Sequence, residues 1–587
     1  MIRKIGNVIL DDTWYGGEDL YSDGPVEDRL LEIVTNTPPE ELDAAVAREK
    51  DWAVLYHLSH VRENIIDALD FTGSEHVLEV GAGPGAVTGA LCRRAADVTA
   101  LDLSMKRSTI NATRHQKADN LRILVGNFAD IEPNLTQTYD VITLIGVFEY
   151  AQAYIDAANP YRTFLELMRP HLAKNGRIII AIENRLGLKY WAGCREDHTG
   201  NLFEGIENYP DHPSVRTFSR PELEMLFEEA GYGSWKFYYP YPDYKLPLSV
   251  FSDSYLPGQG ELQTNIWNFD RERLVLFDEQ KAYDALLSSG SFPLFSNSYL
   301  VELRAQKTDQ EEGGVIYTRF SNERRRSFAI RTAIRVQKDG SLAVEKSACY
   351  PEGVHHTGSM EEYGRELMAL YEGTKLQINR ILPVDSKEQA GTVRFEFLEG
   401  RQTLEQRALE LYADGRSEEA FSLIRELTAL INEKATEPFA VTPEFEAVFQ
   451  IGHYAREAVS APITDLDMTP ENILVSEDGT QWTLIDYEWT FRFPIPAEFV
   501  AYRAWHYFLA KAGVEEEDTI LEAEGFDTRA RELFSIMEKS AQAYIKGSHV
   551  PLRELYSSIS PGLRDVEAEL TIFCFYICFK YYNSIMI

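Results

Sequence analysis

Apolar positions along the chain follow two different periods, and the change between them divides it. From Pro38 to Leu69, "PPEELDAAVAREKDWAVLYHLSHVRENIIDAL" repeats apolar residues every three or four positions, which predicts helices. Residues 1–70 as a whole are therefore expected to form a helical region. Short apolar runs follow: "HVLEV", "DVTAL", "LRILV", "DVITLI" and "GRIIIAIE". Each has strand length, and helical stretches such as "GAVTGALCRRA" and "YRTFLELMRPHLA" separate them. Strands alternating with helices predict a doubly wound parallel sheet over residues 71–304. "FSRPELEMLFEEAGYG" then reads as one more helix with a Ser-Arg-Pro start and a Gly stop.

Residues 305–314, "AQKTDQEEGG", are polar and Gly-containing and read as a linker. Beyond it "VIYTRFS", "FAIRTAIRVQ" and "SLAVEKSACY" predict strands, the last two joined by a "KDG" turn. A helix, "SMEEYGRELMALYEG", and another strand pair ending in "VRFEFLEG" complete a region over 315–402. Residues 403–570 read as mainly helical. The tail 571–587, "TIFCFYICFKYYNSIMI", is aromatic but broken by Lys580, too short to span a bilayer. It is expected to be a buried closing element, with an interface peptide or the stump of a longer chain as alternatives.

The 587 residues are enough for about two to four domains, and 44% hydrophobic residues suffice for real cores. The net charge of −35 disfavours nucleic acid and anionic membrane surfaces as partners. Five cysteines without CxxC spacing argue against a disulfide framework or a structural zinc site. The N-terminus lacks the apolar run of a signal peptide. These features lead to the expectation of a cytoplasmic protein, with peripheral attachment at the inner face of the membrane left open.

The chemistry concentrates in two places. In "VLEVGAGPGAVTGAL" a strand runs through a Gly-rich turn into a helix. Gly81, Gly83 and Gly85 permit a tight turn and close approach of backbone to ligand, which dinucleotide sites also use. Glu79 two positions before the first glycine sharpens the pattern to E-x-G-x-G-x-G. Asp102 ends the second strand, "GNFAD" follows the third, and "DVITLIGVFEY" forms the fourth. These four motifs, in this order, resemble class I S-adenosylmethionine (SAM) methyltransferases over about residues 70–250; a nicotinamide-dependent Rossmann domain is the alternative. The resemblance implies that Glu79, Gly81 and Gly83 hold the methionine moiety and Asp102 the ribose. Asn127 and Phe128 are placed to meet adenine.

The acceptor side is less defined. O-methylation requires proton removal, and Glu149, Glu183, Asp197 and His198 are candidate bases, Glu149 and His198 foremost. For each the alternative is a capping or ion-paired loop residue, and an anionic acceptor needs no base.

In "DLDMTPENIL", Asp467 precedes Asn472 at the D-x-x-x-x-N interval of kinase catalytic loops, and "TLIDYEW" supplies Asp486 at a strand end. Lys346 in "LAVEK" and Glu366 in "YGRELMALY" are placed to bind nucleotide phosphates and to pair with that lysine. "FEFLEG" is the candidate hinge strand for adenine. These pieces resemble the aminoglycoside phosphotransferase and choline kinase branch of the kinase-like fold over about 315–560. That resemblance implies ATP, Mg²⁺ held by Asn472 and Asp486, and Asp467 as base. Two departures stand out: Asp465 replaces the usual His, and "FSNERRRSF" replaces a Gly-rich loop. Arg324, Arg325 and Arg326 there contact phosphates, bind an acidic substrate, or solvate a turn.

The expected architecture is thus α/β: a Rossmann-like class I methyltransferase domain followed by a two-lobed kinase-like α+β domain. The pairing resembles bifunctional kinase/methyltransferases that cap bacterial surface polysaccharides, which implies a glycan or small hydroxylated acceptor and membrane-associated synthesis machinery as partner. The alternatives are a methyltransferase with a scaffolding pseudokinase, a small-molecule methyltransferase, and a non-enzymatic assembly factor.

Overall fold

The computed structural model describes residues 1–19, 21–212, 214–263, 271–307, 313–384, 391–560 and 562–566. The aromatic tail 571–587 and the middle of the expected linker lie outside these residues. The chain forms two compact units, one of residues 1–322 with 550–587, the other of residues 323–549.

The first unit is built on one sheet. Its strands are β1 (Ile2–Ile5), β2 (Val8–Trp14), β3 (His76–Val80), β4 (Asp97–Asp102), β5 (Leu121–Gly126), β6 (Tyr139–Ile145) and β7 (Leu172–Glu183), followed by β8 (Ser234–Tyr241) and β9 (Ser249–Ser252). β10 (Arg273–Val275) lies apart, and β11 (Ser298–Arg304) and β12 (Val315–Phe320) complete the set. The spatial order is β1-β2-β5-β4-β3-β6-β7-β11-β8-β9-β12. β2 through β7 pair in parallel; β11, β8, β9 and β12 add antiparallel strands beyond β7.

All five strands expected from apolar runs are β3 to β7. Val77, Leu78, Val98, Ile123, Ile142 and Ile180 are fully buried, as a sheet covered on both faces requires. Chain order reverses between β3 and β6, so the crevice beyond their carboxyl ends is where such a sheet accepts a ligand. The expected helix after the fifth strand is Arg220–Glu229, closed at its start by a Ser219–Glu222 capping box.

Three expectations change. Residues 1–70 are not wholly helical: β1 and β2 form a hairpin, and β2 extends the parallel sheet beside β5. Gly6 turns that hairpin with φ +59°, against the backbone of Gln116, where a Cβ would lie 2.3 Å from the Gln116 carbonyl oxygen. "VIYTRFS" was expected to open the second unit; β12 instead pairs with β9 of the first. Finally, Leu552–Ile559, expected in the helical second half, is an amphipathic helix whose Leu552, Leu555 and Tyr556 pack with Leu30, Val54 and Leu58 of the first unit.

The second unit begins with strands β13 (Ile330–Val336) and β14 (Leu342–Ala348). The helix Val354–Leu370 follows, then β15 (Leu376–Ile378), β16 (Ile381–Leu382) and β17 (Thr392–Glu396). β13, β14, β17 and β16 pair antiparallel in that order. The remainder is largely helical, with long helices Ser417–Lys434, Ala497–Ala512 and Thr528–Lys546. Its core is dense in large residues, with Trp482, Trp505, Tyr487 and Phe508 almost wholly buried.

Candidate functional site

The Gly-rich turn follows β3. Gly81, Gly83 and Gly85 have φ of +71°, +53° and +82°, a region side chains rarely adopt. A Cβ on Gly81 would meet Val147 at 2.5 Å, and one on Gly85 would meet Asn111 at 2.4 Å. The turn is anchored from the next strand: the Gly83 and Ser104 N–H groups each donate to one oxygen of Asp102, both at 2.9 Å. Each of those oxygens retains a second acceptor position, which suits the two hydroxyls of a ribose.

Glu79 accepts from the Thr88 hydroxyl through Oε2 at 2.7 Å, while its Oε1 is buried without a partner. Burial pushes its carboxyl up to about 8, the Thr88 hydrogen bond opposing and Asp102 adding to the rise. Glu79 lines the cavity beside the glycine cradle, and its unpartnered oxygen fits the ammonium end of a sulfonium amino acid. Asn127 caps the short helix that follows by accepting from the Ala129 N–H, and Phe128 packs edge-on to Phe164. Glu79, Gly81, Gly83, Asp102, Asn127 and Phe128 line one cavity of about 580 Å³, whereas Gly85 does not.

Sequence reasoning missed what covers this cavity. Tyr21, Trp52, Tyr56 and Arg62 from the N-terminal region line it, as does Tyr556 from the far end of the chain. Arg107 joins the two sides, its guanidinium 4.8 Å from the Tyr21 ring centroid and 3.1 Å from Asp23.

The four candidate bases also line the cavity. They do not stand as free bases. His198 donates from Nδ1 to Glu196 at 2.9 Å and directs Nε2 to Glu149 at 3.6 Å. Burial alone would lower its pKa, but the hydrogen bonds to Glu149 and Glu196 outweigh burial and hold it well above the usual histidine range. Lys245 pairs with Glu183 and, at 2.9 Å, with Asp197; Lys189 pairs with Asp197 at 2.8 Å and Asp243 at 2.7 Å. The alternative of ion-paired loop residues thus describes Asp197 and His198. Glu149 Oε2 and Glu183 Oε2 remain buried without partners.

In the second unit, Lys346 on β14 meets Asp486 at 2.5 Å and Glu488 at 3.9 Å. Burial would lower the Lys346 pKa, but these carboxylates more than offset it and hold the ammonium charged. The expected Lys346–Glu366 pair is not made. Glu366 lies on the outer face of the helix Val354–Leu370 and pairs with Arg492 at 2.7 Å, both side chains more than two-fifths exposed. His356 of the same helix turns inward instead, to Glu488 at 3.5 Å. Arg324 also reaches Glu488, at 2.8 Å, so it is no solvated turn residue; Arg325 lies over Phe328 and Tyr544, and Arg326 pairs with Glu352.

Asn472 donates its amide to the Asp467 carbonyl at 2.9 Å, fixing the loop between them. Asp467 pairs with Arg503 at 2.9 Å. Asp465, in the place of the usual His, is buried, and its Oδ1 accepts the Asp467 N–H. Burial and the neighbouring Asp467 hold its carboxyl well above the usual range. In "FEFLEG" the Glu396 N–H and carbonyl are engaged by Arg380 and Asn379.

Residues 78–180 match the family model described as a methyltransferase domain. Over 98 residues the chain is 31% identical to the ribosomal RNA small subunit methyltransferase A of Borreliella afzelii and of Borrelia garinii subsp. bavariensis, covering 16% of this chain. The chain spans 35% of the length of these curated relatives. Similar solved structures include a putative methyltransferase from Haloferax volcanii in complex with the Trm112 activator, at 19% identity, covering 46% of this chain and all of that one, TM-score 0.28. Another is a putative methyltransferase from Bacillus halodurans, at 16% identity, covering 42% and 99%, TM-score 0.25. The first unit thus contains a Rossmann-like methyltransferase domain, the class to which its sheet order and Gly-rich turn belong.

Proposed function

We propose that the protein is a SAM-dependent methyltransferase whose second unit is a kinase-like phosphotransferase, both acting on a hydroxylated acceptor. The observation that carries the first half is the cradle of Gly81, Gly83 and Gly85 between the unpartnered Glu79 Oε1 and the twice-anchored Asp102, inside the region matched by the family model. Bound there, SAM would supply an electrophilic methyl group. Glu79 would take its ammonium, Asp102 its ribose, and Asn127 and Phe128 its adenine. The aromatic cover over the cavity suits a small molecule or the end of a glycan chain better than the interior of a polymer. The net charge of −35 speaks against nucleic acid.

The phosphotransferase half is supported by Lys346 beside Asp486 and by Asn472 locked to the Asp467 backbone. In this reading Asp486 and Asn472 would hold Mg²⁺, Lys346 the phosphates of ATP, and Asp467 the acceptor hydroxyl. A glycan capped by phosphorylation and then methylation, made with membrane-associated synthesis machinery, accounts for both sites in one chain; this step rests on the domain pairing. Peripheral attachment to the membrane belongs to the same proposal; among the described residues no helix is long and apolar enough to cross one.

A second reading is favoured by Glu366 pairing with Arg492 and by Asp465 in the usual His position: a pseudokinase that scaffolds the methyltransferase. Thermal unfolding with SAM, with Mg-ATP and with both separates the readings. A ligand at about 100 times its Kd stabilises what it binds by about 2.7 kcal/mol. The proposal expects SAM to shift wild type but not Asp102→Ala, and Mg-ATP to shift wild type but not Asp486→Ala. A SAM shift alone selects the scaffold; no SAM shift defeats the methyltransferase reading.

A further inference from the structure

In the lining of the cavity one ligand atom each from Glu149, Glu183 and His198 lies within 4.8 Å of the others. We propose that these three side chains bind a divalent transition ion such as Zn²⁺ or Mn²⁺.

Three independent features support the site. The first is spacing. Two ligands of a tetrahedral ion with bonds of about 2.1 Å lie about 3.4 Å apart, and His198 Nε2 stands 3.6 Å from Glu149 Oε1. The other separations in the set are at most 4.8 Å, so closing it around one ion needs side-chain shifts of up to about 1.4 Å.

The second is the partner of the imidazole. A histidine that ligates a metal through one nitrogen commonly donates the other N–H to a carboxylate, which fixes its tautomer and its aim. His198 does so: Nδ1 donates to Glu196 at 2.9 Å, leaving Nε2 to face Glu149. Glu196 is itself held in place by the backbone N–H groups of His198 and Thr199, at 2.8 and 2.7 Å.

The third is unmet demand for positive charge. Glu149 and Glu183 are 1% and 0% exposed, yet each has an Oε2 with no hydrogen-bond partner. A buried carboxylate oxygen without a donor is costly, and a cation removes that cost. The neighbouring cations do not meet it. Lys189 and Lys245 pair with Glu183, Asp197 and Asp243, while Glu149 and Glu196 pair with His198, so five carboxylates share two ammonium groups and one imidazole. Lys245 takes only Oε1 of Glu183, so that carboxylate can bridge lysine and ion.

One imidazole and two carboxylates suit Zn²⁺ and Mn²⁺ better than the all-oxygen ions Mg²⁺ and Ca²⁺. With three protein ligands the ion keeps an open position towards the cavity, as catalytic sites do. There it can bind an acceptor hydroxyl and lower its pKa; this role, unlike the site, rests on the methyl-transfer reading.

The test is ion binding, read without turnover. Full-length protein stripped with EDTA is titrated with Mn²⁺, and free Mn²⁺ is followed by its EPR signal, with Zn²⁺ as competitor. The expected result is one competed ion per chain. Glu149→Gln and His198→Gln each weaken binding at least about tenfold, and Glu196→Gln weakens it about 10- to 100-fold through the ring it orients. The SAM-induced thermal shift confirms that each variant is folded. Should a variant lack that shift, the wild-type titration decides alone. Wild type that binds neither ion at about millimolar concentration, or folded variants that bind as wild type does, would overturn the site. Mn²⁺ binding without a SAM shift in wild type would instead leave the site standing and defeat the transfer reading.

Discussion

Lys346 and Asp486 meet at 2.5 Å across 140 positions of sequence, and they join the strand β14 to the segment after Trp482–Leu484. The lysine is buried, whereas a third of the Asp486 side chain faces solvent. Replacing Asp486 with Ala leaves a buried ammonium whose remaining ion-pair partner among the described residues is Glu488 at 3.9 Å. The full penalty for breaking a buried pair is about 3–5 kcal/mol, and solvent access at Asp486 reduces it to about 1–3 kcal/mol. Lys346→Met spares the unpaired ammonium and should cost less. Chemical denaturation of both variants, followed by tryptophan fluorescence, checks the order.

Glu366 gives the contrasting case. Its pair with Arg492 is exposed, and such pairs contribute about 0–1 kcal/mol. Glu366→Ala should therefore leave both stability and any Mg-ATP shift near wild type, while His356→Ala, which removes a neighbour of buried Glu488, should lower stability more. A large loss of the Mg-ATP shift in Glu366→Ala would restore the role first expected for this residue.

The pH dependence of the first unit should carry the mark of Glu79. Its carboxyl is pushed up to about 8 in the folded chain, from an ordinary value of 4.5, so the fold binds this proton more tightly than the unfolded chain does. The resulting penalty is absent below the unfolded value, grows as pH rises from there to about 8, and is constant above. Glu79→Gln removes it. The variant should be more stable than wild type by about 1–3 kcal/mol at pH 8, with the difference vanishing near pH 4, and should bind SAM more weakly. Melting temperatures across pH with and without SAM test both halves.

The helix Leu552–Ile559 should be required by the unit to which it returns. Leu552, Leu555 and Tyr556 are each less than a tenth exposed, in a core with residues between Leu30 and Val61, Ile110 and Leu246. Leu555→Ala should cost about 2–4 kcal/mol, and a chain ending at Asn322 should lose the SAM-induced shift. Unaltered SAM binding by that shortened chain would contradict this packing.

The parallel strands β3 to β7 were legible because each is a continuous apolar run bounded by helical pattern. Glu79, the glycines and Asp102 were legible because they are adjacent in sequence to strand ends. The hairpin β1–β2 was not, because β1 is exposed along most of its length and its charges obscure alternation; the Gly6-Asn7 turn was the available signal. Glu366 was misplaced because helical periodicity gives relative, not absolute, rotation: the same helix turns His356, not Glu366, towards the lysine's cluster. Tyr556 has no local signal at all. Its contacts lie hundreds of residues away, and only a folded chain reveals which apolar stripe covers which surface.

That late helix also sets a timetable for biosynthesis. Residues 323–549 are synthesised before Leu552, Leu555 and Tyr556. Until then the apolar faces of the N-terminal helices around Leu30, Val54 and Leu58 lack their last covering, while the intervening unit is free to fold as soon as it emerges. The segment translated first is thus the one finished last, and its exposed interval is the time needed to synthesise an entire second unit.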